Sequence, residues 1–141
     1  MIRTDTSPRT MNTLAARCIM AGALLMLLAV MLGAFGAHAL QEQLTPRQLA
    51  SFQTGVTYHV YHAIALVLLG IVAQVTPPSH WLTRAALLMV FGIACFSGSI
   101  YAMTFGAPRW LGMVAPVGGT SFMLGWIALA LHVRKRIADG G

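Results

Sequence analysis

Gly55-Val-Thr-Tyr-His-Val-Tyr-His-Ala-Ile-Ala-Leu66 carries two tyrosines and two histidines within five residues, Tyr58, His59, Tyr61 and His62. They stand at the mouth of an apolar run that continues to Ala73. As a helix the run is long enough to enter a bilayer, which places the His62 imidazole inside hydrocarbon. Ionisable groups are costly there and call for partners. A membrane span is therefore expected over 56–75. Thr76-Pro77-Pro78 ends it, because consecutive prolines cannot continue the backbone ladder.

Upstream, Thr45-Pro46-Arg47-Gln48 reads as an N-cap, a first-turn proline and a capping-box glutamine, so the helix begins near Pro46. Leu49, Phe52 and Val56 recur at helical spacing opposite Arg47, Gln48 and Gln53, the pattern of a short amphipathic segment lying at the interface before the span. Earlier still, no charge interrupts the chain between Arg17 and His38, and a first span is expected over 14–38. Ala37 and Ala39 resemble a signal-cleavage site, but the apolar stretch exceeds the about 7 to 15 residues of a signal core. Downstream, Ser79 caps a third span over 81–105, with Trp81 at its edge. Gly106-Ala-Pro-Arg-Trp110 forms the next turn, and a fourth span follows over 110–133. Residues 1–13 read as a flexible leader and 134–141 as a basic tail that frays at Asp139.

The whole is thus an all-α, integral membrane four-helix bundle. The 141 residues agree: 57% are hydrophobic and only 9% charged. Soluble domains carry about 25% charged residues. A net charge of +6 does not indicate a nucleic-acid binder, because the basic residues flank apolar runs and form no helical stripe. One side of a four-span chain holds Arg3, Arg9, Arg17, Arg84, Arg134, Lys135 and Arg136, the other Arg47 and Arg109. That bias predicts both termini in the cytoplasm of a bacterial inner membrane. Cys18 and Cys95 fall at different depths, so two buried, unpaired thiols are expected.

Close helix approach through small residues is needed where lipid removes the hydrophobic drive. Ala29, Gly33 and Ala37 offer such a row, as do Ala94, Gly98, Ala102 and Gly106, and Ala115 with Gly119. Pro116 is expected to kink the fourth span and free a carbonyl, with Thr120 and Ser121 re-satisfying the backbone. The polar residues collect at one level: His38 on the first span, Tyr58, Tyr61 and His62 on the second, Ser97, Ser99 and Tyr101 on the third, Pro116 and Gly119 on the fourth. His59 is on the flank of that face, so His62 is expected to matter more to stability. Beneath this layer the inner half is apolar, and His80 and His132 read as solvated at its rim.

Two uses of the layer are open. It can be a hydrogen-bonded fastening in a non-enzymatic accessory or scaffold component whose partners are the lipid bilayer and another membrane protein or itself. Alternatively, His38 and His62 bind an ion or small ligand. A metal held by His38, His59 and His62 lacks a carboxylate or thiolate to complete its shell. Haem between His38 and His62 sits too near the surface, so no cofactor is expected. Nucleophilic catalysis by Ser97 or Ser99 lacks an acid to orient its base.

Gly33-Ala-Phe-Gly-Ala-His38, Thr54-Gly-Val-Thr-Tyr-His-Val-Tyr-His62-Ala, Phe96-Ser-Gly-Ser-Ile-Tyr101, Ala115-Pro-Val-Gly-Gly119 and then Gly125-Trp126 occur in one order over about Leu14 to Leu131. Together they resemble the small bacterial membrane proteins of domain-of-unknown-function family 423, which includes YgdD-like and YwdK-like proteins and is similar to animal transmembrane protein 256. The resemblance implies a four-span inner-membrane protein without an established activity. It picks out His38, His62, Ser97, Gly98, Tyr101, Pro116 and Gly119, and does not ask for His59.

Overall fold

The computed structural model describes residues 10–139, so Arg3, Arg9 and most of the expected leader lie outside the described residues. Four helices are long and apolar enough to cross a membrane. The first, Thr13–His38, starts on Asn12, whose side chain accepts from the Leu14 amide. The second is a single uninterrupted helix, Pro46–Val75. Thr45 and Gln48 close the capping box reciprocally, with Gln48 N donating to Thr45 Oγ1 over 3.3 Å and Thr45 N to Gln48 Oε1 over 3.0 Å. At its far end Thr76 is extended, as a residue before proline must be.

The third helix, His80–Thr104, is capped by Ser79 and widens into a π-helical turn over Ile93–Ser97. Gly106 then turns the chain at φ +95°, in the left-handed region that only glycine enters freely. The fourth helix opens with a 3-10 turn, Arg109–Met113, and runs as an α-helix over Val114–Asp139. Two expectations change here. Pro116 sits in the first turn of that α-helix, where a missing N–H is not required, so it is an entry residue and not a mid-span break. The helix also continues through Arg134-Lys135-Arg136, so the basic segment is helical up to Asp139.

The helices pair as two hairpins, the first along the second and the third along the fourth, joined by the second helix packing on the third around its π turn. On the first helix Ala15, Cys18, Gly22, Ala29 and Gly36 are buried, with Leu25 and Leu32 against the same clusters. These positions alternate three and four apart, the repeat of a coiled-coil seam. A Cβ on Gly22 would stand 2.8 Å from Ala63 O, and one on Gly70 would stand 2.9 Å from Ala15 O, so backbones touch along this seam. In the other hairpin a Cβ on Gly118 would strike the Phe96 backbone and one on Gly92 the Phe122 ring. The expected row through Gly98 and Gly106 is not a seam, since nothing lies within 3.9 Å of a Cβ on Gly98 or within 4 Å on Gly106. The π turn shifts the register, and the close contacts fall on Gly92 instead. Both cysteines are free, Cys18 buried and Cys95 only partly so.

Candidate functional site: a buried aromatic and imidazole layer

The seam pairings fix the levels. His62 reaches across to the fourth helix, where its ring stacks on Phe122 with centroids 3.4 Å apart and planes 9° apart. Its Nδ1 lies 2.7 Å from Tyr58 O one turn back. A carbonyl can only accept, so Nδ1 carries the proton and Nε2 keeps its lone pair. Trp126 Nε1 donates to that lone pair over 3.4 Å. Tyr58 stacks beside His62 and packs 4.7 Å from Phe96. Three helices are bound together by rings at this point.

One turn toward the loop end, His59 Nδ1 meets Tyr101 Oη at 3.2 Å, and Tyr101 packs on Phe52. Ser97 Oγ donates to Gly55 O over 2.8 Å, a bond between the second and third helices. On the fourth helix Ser121 Oγ reaches Leu88 O, and Thr120 Oγ1 returns to Pro116 O. Both hydroxyls therefore bond backbone carbonyls, Ser121 across to the third helix.

The structure thus brings Tyr58, His62, Ser97 and Tyr101 together and leaves others out. His38 is exposed at the end of the first helix. Gly36 faces Phe52 and Gly22 faces Ala63, so His38 stands roughly 12 residues, or about 18 Å, along the bundle from His62. The two do not share a site. Tyr61 is 58% exposed. Ser99 is buried but bonds Phe96 O on its own helix. Pro116 faces outward, and Gly119 is half-buried.

Sequence reasoning placed His59 on the flank, yet it is 1% exposed and its Nε2 has no partner. Its i, i+3 spacing from His62 was the available signal, because that spacing aims the two rings at adjacent neighbours. Phe122 escaped notice, and Phe96 and Trp126 entered only through the family motifs, because an aromatic residue in an apolar span looks the same whether it faces lipid or a histidine. His132, expected to be solvated, is 2% exposed with an unpartnered Nε2. Among the described residues, no three His, Cys, Asp or Glu side chains come together.

Four apolar helices, three of them fastened by a buried aromatic and imidazole layer, define a small multi-pass membrane protein. The family described as "Protein of unknown function (DUF423)" matches residues 32–119, and the chain belongs to it. It is 40% identical to the UPF0382 membrane protein YwdK of Bacillus subtilis, over 83% of this chain and 95% of that one. It is 33% identical to the UPF0382 inner membrane protein YgdD of Escherichia coli, over 76% of this chain and 83% of that one. A Haemophilus influenzae UPF0382 membrane protein is 39% identical over 72% of this chain and 80% of its own. No solved structure matches the chain.

Proposed function

We propose that this is a non-enzymatic accessory or scaffold component of the bacterial inner membrane, with both termini in the cytoplasm and the amphipathic start of the second helix at the outer interface. One observation carries the reading: the layer's polar groups are used almost entirely on the chain itself. Both nitrogens of His62 are engaged, Ser97 holds Gly55 O, and His59 holds Tyr101. A reaction site needs a nucleophile or base left free to face a substrate, and the sequence has no Asp or Glu between Gln43 and Ala138 to orient a base. The alternative, an ion or ligand held jointly by His38 and His62, needs both rings in one place, and they are about 18 Å apart.

The surface such a component would offer is the outer face of the first helix. That helix is paired along one side with the second, while Met20, Leu24, Leu27 and Met31 lie opposite and are 58–62% exposed. Photo-crosslinking residues introduced at Leu24, Leu27 and Met31 in intact cells test the proposal. A discrete protein adduct from this face, absent from the same probe at Val133, is expected. Adducts with lipid alone would overturn it.

A further inference from the structure

We infer that the end of the bundle where the first helix starts and the fourth ends holds a phosphate group, in the cavity between the start of the third helix and the last turns of the fourth. The cavity measures about 150 Å³ and is lined by Ser79, His80, His132, Lys135 and Arg136. Three observations converge there. The third helix begins at this point, and the first turn of a helix presents amide donors without intrahelical acceptors and a partial positive charge. Ser79 Oγ takes only that of Trp81. His132, Lys135 and Arg136 are three and four residues apart, so they share one face of the fourth helix and bring two permanent positive charges to the same opening. His132 is only 2% exposed in the wall, and its Nε2 has no hydrogen-bond partner.

A buried imidazole nitrogen without a partner is costly to keep, and an acceptor oxygen entering the cavity is of the type these groups lack. Arginine, lysine, imidazole and helix amides together favour a tetrahedral oxyanion over a single carboxylate. Trp81, beside the cavity at the same helix start, has Arg84 stacked 5.1 Å from its ring centroid. Tryptophan at a helix start sits at headgroup level, which is where a phospholipid phosphate is found. Basic pockets between membrane helices are suited to such headgroups. A free phosphate has the same chemistry, so the two sources are separated by experiment.

The test uses the full chain carrying ¹⁵N/¹³C-labelled histidine, with the His132 signal assigned by His132→Gln. Inorganic phosphate is titrated in a neutral maltoside detergent. In parallel, nanodiscs of phosphatidylcholine alone are compared with nanodiscs containing phosphatidylglycerol. A saturable shift of the His132 signal is expected. Phosphate acting in detergent would identify a site open to soluble anions, and an effect confined to phosphatidylglycerol would identify a lipid-headgroup site. Either result supports the proposal. Lys135→Gln with Arg136→Gln, both exposed and safe for folding, should weaken the effect roughly tenfold or more, whereas Arg134→Gln should leave it unchanged. If neither phosphate nor phosphatidylglycerol moves His132, or if Arg134→Gln weakens binding as much as the double variant, the surface is merely basic and the proposal fails. The rise in thermal midpoint with added phosphatidylglycerol gives the same comparison where His132→Gln does not fold.

Discussion

Tyr101 illustrates how little a single hydroxyl has to do to matter inside a membrane. Its Oη is the partner of His59, whose other nitrogen already has none. Tyr101→Phe would leave both nitrogens of a buried ring unsatisfied, whereas removing the ring as well replaces a stranded polar group by apolar volume. Interhelical hydrogen bonds in membrane proteins average about 0.6 and reach about 1.7 kcal/mol. Tyr101→Phe should therefore lower the unfolding free energy in mild detergent by about 1 kcal/mol, and adding His59→Leu should recover much of that loss. Purely additive losses in the double-mutant cycle would show that the pair is not coupled. His62→Leu frees only the indole N–H of Trp126, a residue 45% exposed that can find water or lipid oxygen, and a Tyr58 carbonyl that keeps its helical bond. His59 thus carries the more dependent hydrogen bond, while His62 holds its neighbours chiefly by stacking on Phe122. The sequence placed both histidines in the second helix, one turn apart. That His59 meets Tyr101 depended on the third helix's register, which was not legible from the second.

That register is set by an element no pattern announced. The π turn over Ile93–Ser97 inserts an extra residue into the third helix, and it lies where the third helix meets both the second and the fourth. Apolar periodicity reads straight through such a turn, because a lipid-exposed span is apolar on every side. Capping is different: Thr45 with Gln48, and Ser79, were readable because a helix start must satisfy its donors with particular side chains close in sequence. Pro116 was misread for a related reason. A proline is tolerated or disruptive according to how far it stands from the helix start, and the 3-10 turn over Arg109–Met113 moved that start forward. Deleting Cys95, a partly exposed residue of the π turn, should restore α-helical winding and leave the segment beyond it at its present angle, because the wide turn takes up one residue. Helical content by circular dichroism should stay unchanged, and the coupling between His59 and Tyr101 should persist. Coupling lost on the deletion would mean that the π turn does more than absorb one residue in aiming Tyr101.

Across the whole molecule, the hairpins and the joint between them are built on different chemistry. The first helix joins the second through small residues meeting backbone to backbone. Ser97, Tyr101 and Trp126 bind the second helix to the third and fourth through hydroxyl, phenol and indole. The number of spans was legible because bilayer thickness dictates how long an apolar run must be. The separation of His38 from His62 was not, since assigning residues to the outer half of a span leaves about two helical turns of freedom. Orientation follows from charge. Seven basic residues on the side of the termini against Arg47 and Arg109 on the other predict that the Gln41–Thr45 loop faces outward. Alkaline phosphatase fused after Gln43 should be active and the same enzyme fused at Gly141 inactive, with a cytoplasmic fluorescent reporter giving the reverse pattern. Neutralising Arg134, Lys135 and Arg136 together narrows the bias to four against two and should raise the minority orientation without removing any span, because charge selects the side while hydropathy selects the segment. A reporter pattern reversed in the unaltered chain would put the His132 cavity on the outer face, and its lipid neighbours would then be those of the opposite leaflet.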